Sequence, residues 1–108
     1  MKLGKHKVPG AGSMNAAIST ASETQPITTG KPNPASINIL CEKERFDKKK
    51  CLMIGDSFYT DIPFGRNAGI DTLLVLSGVT TKDEMKEYLT RENMAKPTYY
   101  AENLKLKL

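Results

Sequence analysis

The chain has 108 residues, 39% hydrophobic and 26% charged, with a formal net charge of +4. That length supports one small domain with a single core, and the composition is ordinary for a globular protein. No apolar run nears the ~20 residues of a membrane span, and the net positive charge comes mainly from lysines at the two ends and in one run, Lys48-Lys49-Lys50, without interleaved aromatics, so neither a membrane nor a nucleic acid is an expected partner.

The basic start carries Lys2, Lys5, His6 and Lys7 with no apolar stretch behind it. A secretory leader would need one, so the expected location is cytoplasmic. Val8 to Ser13 reads as a turn, with Ser13 the expected N-cap of a helix over Met14 to Ser22. Gln25 to Thr29 suggests a short strand running into a Gly30-Lys31-Pro32 loop. Asn33 is an expected N-cap and Pro34 suits the first helical position, where its missing N–H costs nothing. Ile37, Leu40 and Cys41 then make an apolar stripe at helical spacing as far as Glu44.

The run Cys51-Leu52-Met53-Ile54, bounded by the lysines and Gly55, fits a strand covered on both faces. A helix should follow from Thr60 or Asp61 to Ala68, with Pro63 tolerated in its first turn and Gly69 as its stop. Thr72 to Leu76 reads as a second buried strand. Thr81 should cap a helix over Lys82 to Leu89, with Glu84 completing a capping box. Pro97 to Tyr100 looks like a last short strand before a frayed end.

Strands alternating with helices indicate an α/β fold built on a doubly wound parallel sheet. Cys41 and Cys51 lie in apolar stretches, do not form a C-x-x-C pair, and are expected to be buried free thiols. His6 is far from both in sequence, so a zinc site has no support.

In open α/β sheets, ligands bind beyond the carboxyl ends of the strands. Asp56 follows the strand ending at Ile54-Gly55, and Asp61 opens the next helix. Both carboxylates can face that mouth, a hard-oxygen set suited to Mg²⁺. Lys31, in the loop after the earlier strand, offers a positive charge for a phosphate. Each has a plainer reading: Asp61 is favourable at any helix N-terminus by ~0.3–1 kcal/mol, Gly-Asp pairs are common in turns, and Gly-Lys-Pro alone says little.

In combination, Pro9-Gly10-Ala11-Gly12-Ser13, Gly30-Lys31-Pro32-Asn33-Pro34, and Leu52-Met53-Ile54-Gly55-Asp56 through Thr60-Asp61-Ile62 say more. With Phe64-Gly65, Ala68-Gly69 and Leu76-Ser77-Gly78-Val79, they resemble the haloacid dehalogenase (HAD) superfamily. The branch is that of the 4-nitrophenylphosphatases, phosphoglycolate phosphatases and pyridoxal phosphatases, related to the NagD-type enzymes. The resemblance implies a Mg²⁺-dependent phosphomonoesterase acting on a small phosphorylated metabolite through an aspartyl-phosphate. It implies that Lys31 steadies nucleophile and phosphate, that Asp56 is a magnesium ligand, and that Asp61 is the second acid supporting the metal through its waters. By the same match, residues 1–24 are a basic start and the remnant of the helix returning from the substrate-selecting cap. Residues 25–108 are then the C-terminal part of the core.

Members of that family carry an Asp-x-Asp-Gly motif that supplies nucleophile and general acid. Here the aspartates are Asp47, Asp56, Asp61, Asp71 and Asp83, and no two are separated by one residue. The phosphate-holding Ser or Thr motif and most of the cap have no counterpart, and Ser57 stands where close relatives often have arginine. The expectation is a partial HAD core, lacking the nucleophile strand and most of the cap, that is inactive alone. Three readings follow: the C-terminal fragment of a phosphatase, a non-catalytic binding or regulatory module pairing with a full-length relative, and an enzyme completed in trans. The missing central strand leaves the Cys51–Ile54 strand with an open edge, which predicts self-association.

Overall fold

The computed structural model describes residues 2–3 and 6–105. Its elements in chain order are β1 (Lys2–Leu3), β2 (His6–Lys7), α1 (Ala11–Ser22), α2 (Ala35–Glu44), β3 (Leu52–Gly55), α3 (Asp61–Ala68), β4 (Asp71–Val75), α4 (Lys82–Thr90) and β5 (Tyr99–Ala101). A short 3₁₀ turn at Lys48–Lys50 precedes β3.

Two successive β-α-β units, β3-α3-β4 and β4-α4-β5, build a three-stranded parallel sheet of order β3-β4-β5. The register places Met53 beside Thr72, Ile54 beside Leu73, and Leu73 beside Tyr99. Met53 and Thr72 face α3, because a Cβ built on Gly65 of that helix would stand 2.3 Å from Thr72 Cγ2 and 3.0 Å from Met53 Cβ. The glycine is what lets helix and sheet approach so closely. On that side lies the core of Phe58, Ile62, Leu74 and Met85, with Leu76, Tyr88, Leu89 and Ala95 packed around it. Each such apolar side chain contributes ~1.5–3 kcal/mol by leaving water.

The other face of β3 is open, contrary to the expectation from its unbroken apolar run. Leu52 and Ile54 are 46% and 42% exposed. The run is apolar on both sides, but among the described residues only the Met53 side has a helix against it.

Local signals set most boundaries. Thr81 accepts the Glu84 N–H and Glu84 accepts the Thr81 N–H, so the capping box is complete. Gly69 ends α3 with φ 72°. Thr72 is fully buried, and its hydroxyl and N–H are satisfied by Thr98, which pins the entry to β5.

Other expectations shift. Residues 24–29 form no strand: Pro26 has no N–H to give to a ladder, and Ile27 is 90% exposed. The first helix begins at Ala11 rather than after Ser13, with Gly10 as its N-cap, and it buries no side chain. Pro34 takes the N-cap position of α2, while Asn33 one residue earlier accepts the Ala35 N–H at 2.9 Å. The basic start contains a two-residue antiparallel pairing, β1 with β2. Of the end after Tyr100 that was expected to fray, Ala101 belongs to β5 and residues 102–105 form no helix or strand, while the chain beyond residue 105 lies outside the described residues.

The lysine run is not simply solvated. Asp47 caps its turn by accepting the Lys49 N–H, and Lys48 Nζ donates to Asn38 Oδ1 at 2.8 Å and Ala68 O at 3.0 Å. It thereby ties α2 to the C-terminal end of α3, where a cation is favoured. Both cysteines are free thiols, Cys41 buried and Cys51 only half-buried.

Candidate functional site

The carboxyl end of β3 carries the turn from Asp56 to Thr60, which leads into α3. Phe58, 1% exposed, is driven into the core and anchors this turn from below. Above it the Ser57 hydroxyl accepts the Tyr59 N–H at 3.2 Å, while Ser57 O accepts the first N–H groups of α3 from Asp61 and Ile62. Tyr88 of α4 donates from its hydroxyl to Tyr59, tying the outer side of the turn to the next helix.

Asp61, 4% exposed, is the electrostatic centre of the site. Its Oδ2 accepts the N–H groups of Asp56 and Ser57, both at 3.1 Å. Its Oδ1 accepts from Lys31 Nζ at 2.8 Å. A buried carboxylate is tolerable only with such partners. The price of this arrangement is a bare Gly55, since a Cβ there would fall 2.3 Å from Asp61 Cβ.

Lys31 reaches Asp61 from an exposed turn closed by Asn33 N–H to Gly30 O at 3.0 Å. The Lys31–Pro32 peptide is cis. Asn67 of α3 donates to Pro32 O at 3.1 Å, so the same helix that starts with Asp61 also holds the lysine loop. The Lys31 side chain stays half exposed, free to meet a solvent-borne anion.

Asp56 is half-buried and held by the loop after β4. Its Oδ2 accepts the Val79 N–H at 2.7 Å, and its backbone carbonyl accepts the Thr80 N–H at 3.1 Å. Lys31, Asp56 and Asp61, named from the sequence, are therefore linked in one network, with Asp61 the bridge. Asn67 and Tyr88 were not named, and Gly78 and Val79 were named only within the family pattern, with no part in the site. Gly78 and Val79 follow the end of a strand, and that position together with the family pattern is the signal that could have assigned them to the site.

Magnesium would find only part of its coordination here. Among the described residues no group of three or more His, Cys, Asp or Glu side chains comes together. Both Asp61 oxygens are engaged by protein donors, which leaves Asp56 as the carboxylate suited to direct ligation. One carboxylate, several waters and a substrate phosphate is a set that Mg²⁺ accepts. The residues present fit the ion as one part of a larger site.

A HAD-hydrolase-like family model matches residues 28–106. Phosphoglycolate phosphatase 2 of Arabidopsis thaliana is 42% identical over 92 residues, covering 85% of this chain and 30% of that protein. The solved 4-nitrophenylphosphatase of Thermotoga maritima superposes with a TM-score of 0.76 at 39% identity, covering 89% of this chain and 35% of the other. The glycerol phosphate phosphatase of Mycobacterium tuberculosis, solved in complex with magnesium, has a TM-score of 0.73 at 35% identity, covering 87% and 27%. This chain spans about a third or less of the length of the curated relatives it matches.

Proposed function

Because the chain belongs to the HAD-hydrolase-like family, we propose that it is the lysine and metal-acid portion of a Mg²⁺-dependent phosphomonoesterase. Its substrate is a small phosphorylated metabolite of the phosphoglycolate or 4-nitrophenyl phosphate kind, and its compartment the cytoplasm. The single observation that carries this reading is the Lys31–Asp61–Asp56 network at the carboxyl end of a parallel strand. Residues 25–108 supply core, and residues 1–24 are a basic start and the helix returning from a cap.

Each residue then has a physical task. Asp56 is the metal ligand, and Mg²⁺ held there supplies positive charge against the phosphoryl oxygens. Lys31 places an ammonium beside the same phosphate and the nucleophile. Asp61 is the second acid of the motif, acting by holding the Lys31 ammonium and the backbone of Asp56. Without an Asp-x-Asp pair, the chain has no carboxylate nucleophile with a neighbouring acid, so the covalent step falls to a segment outside these 108 residues. We assign the chain alone no turnover.

The test is a chimaera in which this chain replaces the matching third of the Thermotoga maritima 4-nitrophenylphosphatase. Mg²⁺-dependent hydrolysis of 4-nitrophenyl phosphate that is lost in Asp56→Asn supports the reading. A folded chimaera without hydrolysis, or hydrolysis retained in Asp56→Asn, defeats it. Phosphate release by the 108-residue chain alone would defeat the division of labour. A second reading, a non-catalytic module pairing with a full-length relative, is favoured by the open edge of β3, and co-purification with such a relative would support it.

A further inference from the structure

Asp56 is gripped by three consecutive residues of the loop that follows β4. A Cβ built on Gly78 would stand 2.0 Å from Asp56 Oδ2 and 2.6 Å from both its Cβ and Cγ. Val79 N–H donates to the same Oδ2 at 2.7 Å, and Thr80 N–H to the Asp56 carbonyl at 3.1 Å. Thr80 itself is 4% exposed and anchors the loop. The first clash alone would be cheap, because a carboxylate oxygen can swing away. The overlap with Cβ is different, since no side-chain rotation moves that atom. Any residue but glycine at position 78 must push the end of β3 and the loop apart.

We infer that Gly78 and Val79 are positioning residues for Asp56: the bare Gly78 makes room for its carboxylate, and Val79 N–H fixes Oδ2 so that Oδ1 is presented to a divalent cation. The inference rests on the reading of Asp56 as a metal ligand. Mg²⁺ and Mn²⁺ are held by few protein oxygens in strict geometry, so the partner that orients a carboxylate controls affinity. Loss of such an outer partner typically costs 10–100-fold in metal affinity. This contact joins the carboxyl ends of two neighbouring strands, β3 and β4, which makes the β4–α4 loop part of the site although it carries no ligand of its own.

The experiment has two readouts on the 108-residue chain, with Ile54→Lys as the common background of the wild type and every variant so that the exposed apolar face of the sheet does not drive self-association. In the first, Mn²⁺ is titrated while its paramagnetic broadening of the Gly55, Asp56 and Ser57 amide signals is followed by NMR. Selective broadening is expected in the wild type and not in Asp56→Asn, and Gly78→Ala should need about 10- to 100-fold more Mn²⁺ to match it. Equal broadening in Gly78→Ala overturns the proposal, and no selective broadening in the wild type overturns the metal reading beneath it. The second readout is the urea midpoint of wild type, Gly78→Ala, Asp56→Gly and the double variant. Gly78→Ala should lower the midpoint in the wild type and leave it unchanged in Asp56→Gly, where the overlapping atoms are gone. The same drop in both backgrounds overturns the coupling. Should Gly78→Ala fail to fold, recovery of folding in the double variant supports the coupling, and failure of the double variant where Asp56→Gly folds overturns it.

Discussion

Lys31 Nζ donates to Asp61 Oδ1 at 2.8 Å, but the two partners sit in different surroundings, 50% and 5% exposed at the side chain. Their contributions to stability should therefore differ sharply. The lysine loses less on truncation, because the two backbone N–H groups still hold the carboxylate and its own half-solvated end makes a pair worth ~0–1 kcal/mol. Asp61 also satisfies the N–H groups of Asp56 and Ser57, so removing it strands two backbone donors. Asp61→Ala should cost about 3 kcal/mol in urea unfolding, and Lys31→Ala at most about 1. A larger loss from Lys31→Ala would show that Asp61 is not the structural centre of the network.

The contrast also marks how far the site could be read from residues in a row. Lys31 was placed after a strand over residues 25–29 that does not form, and only the family pattern tied it to the two acids. Asp56 and Asp61 stand at a strand end and a helix start, so their meeting was legible. The grip of Val79 on Asp56 was not, because only the β-α-β crossover brings residues 56 and 79 together. The same division holds for the fold. From β3 to α4, dense apolar runs, the stop at Gly69 and the Thr81–Glu84 capping box fixed the elements to within a residue or two. Before residue 30 the sequence is rich in Ser, Thr and Ala with few large apolar residues, so propensity had no packing to agree with, and the expected strand over residues 25–29 is absent.

Tyr88 and Tyr59 give the site turn a measurable pH signature. The hydrogen bond that Tyr88 donates to Tyr59, and then its partial burial, push the Tyr88 pKa up to about 12 from 10.0. The neutral phenol is thus favoured by folding. Stability from this contact is fully present below about pH 10, where both states keep the proton, and is lost as pH rises from about 10 to 12. Tyr59→Phe removes the acceptor, so absorbance titration at 295 nm should lose its late tyrosinate step and the stability loss in that window should flatten. An unchanged late step in Tyr59→Phe would place its origin elsewhere.

Cys51 is the less reactive kind of thiol. Desolvation, then the neighbouring Cys41 thiol and Asp47, push its pKa above the ordinary 9.0, and its Sγ lies 3.4 Å from Asp47 O. The thiolate is the nucleophile, so raising the pKa slows attack at neutral pH. Iodoacetamide at pH 8 should label Cys51 more slowly than a thiol in an unstructured peptide, with the rate climbing above pH 9. Faster labelling than the peptide control would contradict this environment.

The open side of the sheet makes the last prediction. Ile54, Leu73 and Tyr99 form a row across all three strands, and Leu52, Ile54 and Tyr99 on that face are 46%, 42% and 56% exposed. Among the described residues β3 is also an edge strand, with no strand paired to its outer side beside this apolar surface. Parallel sheets are ordinarily covered on both faces, and an uncovered apolar edge is a template for association. The 108-residue chain should self-associate at micromolar concentration in sedimentation velocity and bind an apolar-surface dye. Ile54→Lys puts a charge at the centre of the row, away from the α3 side and its core, and should reduce both signals while leaving far-ultraviolet circular dichroism unchanged. A monomeric wild type without dye binding would mean that the exposed row is covered in solution.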